Sequence, residues 1–285
     1  MTIPGTPESA APAPTCFRHP DRATYLRCTR CGRYICPECM RSAAVGHQCV
    51  DCVHAGAASV REARTPFGGR LRSGAPVVTY TLIAANVVVF LLQRAGDGMT
   101  AELSLQPLYV ADGEHYRLLS SAFLHYGLLH LLFNMWALYV LGGPLESWFG
   151  RLQFGALYGL SALGGSAAVF LLSPVDSWTA GASGAVFGLF GATFVVAKRM
   201  RMDVRSVTVL IVLNLVITFA MPSISWQGHI GGLVTGAAIA AAFAFAPRDR
   251  RNLIQGSTAA IALLIVAALV SWRTAELAPL TAYLG

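Results

Sequence analysis

Four residue pairs share one spacing: Cys16-x2-His19, Cys28-x2-Cys31, Cys36-x2-Cys39 and Cys49-x2-Cys52. Ligands two residues apart let one tight turn present both side chains to a tetrahedral ion such as Zn²⁺. Eight ligands suffice for two closed four-coordinate sites, and they use all 7 cysteines of the chain. A set with no ligand left over points to structural metal rather than catalysis, and a segment of roughly 40 residues needs that metal to fold. A disulfide scaffold is the other use of so many cysteines. The odd count and the reducing compartment implied by the topology below weigh against it. His47 and His54 follow closely enough that either could replace a late cysteine.

A second constellation carries different chemistry. Ser183 stands in Gly181-Ala182-Ser183-Gly184, His229 in Gly228-His229-Ile230-Gly231-Gly232, and His130 precedes Asn134 by four residues. A serine and an imidazole within hydrogen-bond reach form a nucleophile and its general base. His130 and Asn134 share one helical face and offer neutral donors to a developing oxyanion. Each residue alone says little. A lone serine in an apolar helix is usually bonded back to that helix, and a lone histidine could be a proton relay or a metal ligand. Their convergence at one depth is the specific signal.

Such residues need elements to position them, and composition states which. Of 285 residues, 55% are hydrophobic and 12% are charged, against roughly 25% charged in soluble domains. A water-facing surface cannot be built from this chain. Residues 73–93, 118–145, 152–175, 177–197, 206–247 and 252–272 carry no Asp, Glu, Lys or Arg. About 20 apolar residues cross the hydrocarbon core as a helix. The stretch 206–247 holds two crossings, broken at Pro222, so seven spans are expected, centred near Val87, Met135, Leu163, Phe190, Leu213, Ala238 and Ile265. Residues 1–15 show no basic-then-apolar leader.

The net charge of +7 is a topology signal. With a cytoplasmic N-terminus, 18 of the 21 Lys and Arg fall on the cytoplasmic side; only Arg94, Arg117 and Arg273 fall outside. No nucleic-acid partner is needed to explain the charge. This orientation brings Ser183 and His229 to similar depths near the outer face. Gly228, Gly232 and Gly236 line one helix face and Gly184 and Gly188 another, so the two backbones can approach closely in lipid. The chain reads as an integral, multi-pass membrane protein, its N-terminus cytoplasmic, of the kind found in a bacterial plasma membrane.

These motifs, in this order, resemble the rhomboid family of intramembrane serine proteases over about residues 75–246. The resemblance implies a Ser–His dyad without a carboxylate. Ser183 would be the nucleophile and His229 the base and then the acid. His130, Asn134 and the Ser183 backbone N–H would form the oxyanion hole. Gly181, Gly184 and Gly232 would support the close packing, and Phe187 the histidine. Arg117 lies in a stretch that resembles the family's structured first loop, with Tyr116 where the family has tryptophan. Glu146 is expected to brace a neighbouring turn, and His125 to serve the surface or a helix start. The cysteine pattern resembles a B-box-type zinc finger. That resemblance implies cross-braced sites, Cys16, His19, Cys36 and Cys39 holding one ion and Cys28, Cys31, Cys49 and Cys52 the other.

The expected architecture is an all-α polytopic membrane protein. It has a disordered N-terminus (1–15), a zinc-binding domain (16–54), a flexible basic linker (55–74), a six-helix protease core (75–246), and a seventh transmembrane helix with its tail (247–285). Structural Zn²⁺, two ions, is the only cofactor expected. The expected partners are transmembrane protein substrates, the lipid bilayer and a protein that recognises the finger. Two rivals are a catalytically inactive relative acting as a membrane-protein chaperone or adaptor, and a transporter using histidine relays. Intact Ser183 and His229 oppose the first, and the lack of carboxylates within the spans opposes the second.

Overall fold

Residues 12–59, 63–71, 74–96 and 98–281 are described by the computed structural model. Residues 1–11 of the expected disordered N-terminus, 60–62 and 72–73 of the expected linker, and 282–285 of the tail lie outside them. The chain divides into two compact units, with the boundary between 62 and 63.

The first unit has few large apolar side chains to bury. Its core consists of the cysteines themselves around Ile35. Strands β1 (Met40–Ser42) and β2 (His47–Cys49) pair antiparallel with Met40 opposite Cys49. Strand β2 runs directly into helix α1 (Val50–Ser59), which extends past the expected domain end at residue 54.

The second unit is helical. Helix α2 (Val77–Ala95) is followed by the short helices α3 (Met99–Leu103), α4 (Pro107–Ala111) and α5 (Arg117–Ser120) and a 3-10 turn (Ser121–Phe123). Then come α6 (Leu128–Phe149), α7 (Arg151–Leu172), α8 (Ser183–Arg199), α9 (Arg205–Ala220), α10 (Trp226–Phe245) and α11 (Arg251–Thr281). Seven helices stand where seven spans were expected. Five of them (α2, α6, α7, α10 and α11) are long and apolar enough to cross a membrane, while α9 is a shorter apolar helix of 16 residues.

Helix α8 has 17 residues, because the chain before it is committed to other bonds. Thr179 pairs with Leu105 in an antiparallel bridge, and Gly181 donates its N–H to Ser121 O at 2.9 Å. Residues 177–180, at the head of the charge-free stretch 177–197, therefore stay outside the helix, and Ala182, already at helical backbone angles (φ −68°, ψ −4°), turns the chain into Ser183. Ser183 becomes the first residue of a helix.

The expected flexible linker is ordered on both sides of residues 60–62. Residues 55–59 complete α1, and in the second unit residues 63–71 form a turn that buries Phe67, 4% exposed, against Phe149. The turn's polar groups are met by protein: Phe67 N–H donates to Trp148 O, and Gln255 Nε2 donates to Phe67 O at 2.9 Å. One aromatic ring, these hydrogen bonds and the close approach of Gly69 to Gly150 together dock an Arg- and Gly-rich run.

Helices α7, α8 and α10 pack backbone on backbone. A Cβ placed on Gly232 would strike the carbonyl oxygen of Gly184, and one on Gly236 would strike the backbone of Gly188. A Cβ on Gly165 would come 2.8 Å from Gly228 O. The Gly-x3-Gly faces of α8 and α10 thus meet each other, as their spacing implied. Elsewhere Glu146, 5% exposed on α6, accepts from Val78 N–H, Thr79 N–H (2.9 Å) and Thr79 Oγ1 (2.9 Å), capping α2. Overpacking costs about 1–3 kcal/mol where nothing can move aside. Gly236→Ala therefore lowers the thermal unfolding midpoint in detergent, whereas Gly256→Ala, which meets nothing within 4 Å, leaves it level or raises it.

Candidate active site and metal centres

Helix α8 opens at Ser183, so the first N–H groups of that helix, Ser183 among them, lack partners within it. Gly181 holds φ at +139°, a value that L side chains rarely adopt. A Cβ there would also lie 2.8 Å from Cε1 and Nε2 of His130 and 3.6 Å from Ser183 Oγ. Glycine is thus required twice, for its backbone angle and for the imidazole lying against it. Through this contact the His130 ring and the Ser183 hydroxyl share one corner of the site.

His229 sits in the first turn of α10, 7% exposed. Its ring stacks on Phe187 of α8, with centroids 4.0 Å apart and planes 15° from parallel. The backbones beside the two residues nearly touch, since a Cβ on Gly184 would be 3.3 Å from Gly228 O. His229 Nδ1 lies 2.7 Å from Thr218 Oγ1 on α9. Ser183 Oγ and His229 Nε2 are not hydrogen-bonded to each other among the described residues. Catalytic bonds often close only when a substrate is bound. On α6, Asn134 is 6% exposed and gives one amide hydrogen to His130 O at 2.9 Å, which leaves its second N–H. The structure therefore gathers Ser183, His229, His130, Gly181, Gly184, Phe187 and Gly232 around the α8–α10 contact, with Asn134 one turn below His130.

Arg117 acts on this corner from outside it. It is 4% exposed, donates from Nη1 to Ala101 O (2.6 Å) and Ser104 O (2.8 Å), and pairs with Glu114 at 2.5 Å. Ser104 precedes Leu105, whose bridge to Thr179 leads to Gly181 and Ser183. Tyr116 keeps an anchoring role through its hydroxyl, which bonds Glu114 Oε2 at 2.7 Å. That bond, with Arg117 beside it, holds the Glu114 carboxyl below the usual carboxylate range. His125 is not a surface residue. The turn before α6 folds it inward to 2% exposure, its N–H on Gln93 Oε1 and its ring edge-on to His130. Thr218 and Gln93 carried no sequence signal, because a threonine or glutamine in an apolar helix ordinarily bonds its own backbone.

Residues 112–246 match the Rhomboid domain. The Rhomboid protease GluP of Bacillus subtilis (strain 168) is 37% identical over 192 residues, 64% of this chain and 38% of that protein. RHOMBOID-like protein 5 of Arabidopsis thaliana is 38% identical over 141 residues, 47% and 45% of the two chains. The putative rhomboid protease YdcA of Bacillus subtilis (strain 168) is 33% identical over 134 residues, 45% of this chain and 67% of YdcA. The chain belongs to the rhomboid family. It spans less than half the length of the first two of these relatives. It is an integral, multi-pass membrane protein.

The rhomboid match begins at residue 112 and does not reach the cysteine-rich unit, whose sites stand on their own geometry. Cys16, His19, Cys36 and Cys39 form one group and Cys28, Cys31, Cys49 and Cys52 the other, the ligand atoms of each group lying within 4.8 Å of one another. Both groups could hold a metal ion. The grouping is the cross-braced one, and His47 and His54 belong to neither group. His19 Nδ1 lies 3.3 Å from Cys36 Sγ and 3.4 Å from Cys39 Sγ. Cys31 and Cys49 Sγ are 3.8 Å apart, close to the edge of about 3.8 Å that a tetrahedron of 2.3 Å Zn–S bonds would have. None of the 7 cysteines is paired in a disulfide, and all of them fall within the two ligand groups. Cys49 N–H and Cys52 N–H donate to Cys28 Sγ and Cys49 Sγ, bonds that suit thiolates. Arg33 donates to Cys31 and Cys49 Sγ and holds the Cys31 thiol below its ordinary value.

Arg117 yields a test of how the loop supports the site. Arg117→Ala strips the buried Ser104 carbonyl and the part-buried Ala101 carbonyl of a charged donor and destabilises the membrane unit by about 1.5–3 kcal/mol. Arg117→Lys recovers little of this, since an ammonium lacks the guanidinium fork. Thermal unfolding in detergent measures both, and a wild-type midpoint for Arg117→Ala would contradict the account.

Proposed function

We propose that the membrane unit is an intramembrane serine endopeptidase that cleaves a peptide bond within or beside a substrate's transmembrane helix, near the outer membrane face. The observation that carries this reading is the α8–α10 contact, which sets a helix-opening serine beside a histidine stacked on Phe187. Family membership and the named rhomboid proteases among the relatives support it.

In this reading Ser183 Oγ attacks the scissile carbonyl as its proton passes to His229 Nε2. The negative charge on the former carbonyl oxygen is met by His130 Nε2, the free N–H of Asn134 and the Ser183 N–H at the helix start, donors fixed before the charge forms. The imidazolium returns the proton to the departing amine. Water then enters from the outer side and its oxygen attacks the acyl carbon as its proton passes to His229, which hands that proton to Ser183 Oγ as the acyl–oxygen bond breaks and the carboxylic acid leaves. No carboxylate takes part.

The cysteine-rich unit would hold two structural Zn²⁺ ions, supplied with thiolate and imidazole ligands that suit this metal. When bound, the ions would replace the apolar core that the unit lacks. The unit would lie on the cytoplasmic side of a bacterial plasma membrane, its surface open to a protein partner, with transmembrane proteins as substrates of the other unit.

Two measurements decide these readings. Purified wild-type protein cleaves a model transmembrane substrate, and Ser183→Ala lowers the rate by at least about 10³-fold. Equal rates would leave the inactive, chaperone-like reading in place. Elemental analysis finds two zinc ions per chain and a chelator melts the first unit, whereas a zinc content near zero would remove the metal assignment.

A further inference from the structure

The hydrogen bonds around His229 assign its protons. Thr218 Oγ1 lies 2.7 Å from Asn214 O and 2.7 Å from His229 Nδ1. A hydroxyl has one hydrogen, and a carbonyl oxygen can only accept. The Thr218 hydrogen must therefore go to Asn214 O, or that short oxygen–oxygen contact would hold no bond. Toward His229 the hydroxyl is left with a lone pair, so Nδ1 must carry a hydrogen and donate it. A neutral imidazole with its hydrogen on Nδ1 has a bare Nε2. Bare Nε2 is the form able to take a proton from Ser183 Oγ.

We propose that Thr218 is the positioning residue of the catalytic base, fixing the tautomer and ring orientation of His229 through a neutral hydroxyl in place of a carboxylate. This rests on the Ser183–His229 reading above. Thr218 is 3% exposed, and it and Val207 are the buried residues of α9, most of whose other residues are exposed. Phe187 holds one face of the imidazole, and Thr218 holds its Nδ1 edge. Together they leave rotation of the ring little freedom. The bond matters more after proton transfer, because an imidazolium N–H donates more strongly than a neutral one. It thus helps the charged state that forms during the attack.

A buried threonine can equally be a packing residue, and the test separates the two roles. Thr218→Val keeps the volume and removes the lone pair; Thr218→Ser keeps the hydroxyl. With a model transmembrane substrate in detergent, the valine variant is expected to lose about 10- to 100-fold in kcat, the worth of a hydrogen bond to a charged group. Its KM should stay within about twofold, and the serine variant should recover most of the rate. In ¹⁵N NMR, wild-type His229 shows a protonated Nδ1 and an unprotonated Nε2, and the valine variant shows a mixture. If the valine variant does not fold, Thr218→Ala is read the same way.

Wild-type kcat and an unchanged ¹⁵N signature in the valine variant would overturn the proposal. Equal losses in the valine and serine variants would also overturn it. Neither result would touch the dyad, which fails only if Ser183→Ala cleaves as fast as wild type.

Discussion

In lipid there is no hydrophobic drive to push one apolar helix against another, so contact must come from close packing and hydrogen bonds. The rest of this structure depends on how α8 and α10 meet that condition. Where the two backbones come closest no side chain separates them, Gly232 resting on Gly184 and Gly236 on Gly188. Dispersion forces at that range hold the pair, and the same closeness sets the spacing of the residues above it. Ser183 and His229 each lie one position from a glycine in the contact, so any widening of the interface reads out directly as separation of the two side chains. A third backbone joins through Gly165 and Gly164 of α7, so the pair cannot slide without disturbing a neighbour.

The loop between α2 and α6 solves a different problem. It must bring extended chain to the start of α8 with no unpaired backbone polar groups. Arg117 does this by collecting Ala101 O and Ser104 O on one guanidinium nitrogen, and the bridge from Leu105 to Thr179 carries the order onward. The seventh helix contributes from behind, where Val266, Val270 and Leu277 join Leu105, Val110 and Leu118 in one apolar cluster. A charged hub under an apolar cover suits a segment that meets both water and lipid.

Much of this was legible in the sequence, for identifiable reasons. Absence of charge marks spans, and the four-residue glycine period marks a face, because both signals are local. The paired cysteines also announced themselves by spacing. The start of α8 was legible at Gly181-Ala182-Ser183-Gly184, but what holds it there was not, since those hydrogen bonds run to Leu105 and Ser121, residues far away in the chain. Phe67 was missed for a related reason: one ring in a polar run has no periodicity to betray it, and its partner Phe149 lies on another element. Thr218 stands eleven residues before His229, a separation that implies nothing until a helix turn and a break fold it back.

The carboxylate of Glu146 has one more consequence. Helix α2 shows most of its length to its surroundings and is an apolar rod that could slide along its own axis at little cost. Three donors at its first turn close on Glu146, and near its far end Gln93 accepts from His125 N–H. A shift by one helical turn, about 5.4 Å, would break both sets and leave the buried Glu146 carboxyl with only its ion pair to Arg151. The rod is therefore held in one axial register against α6. Its first turn is tied to α6 and its far end to the chain that leads into α6, so α2 moves with that helix rather than past it.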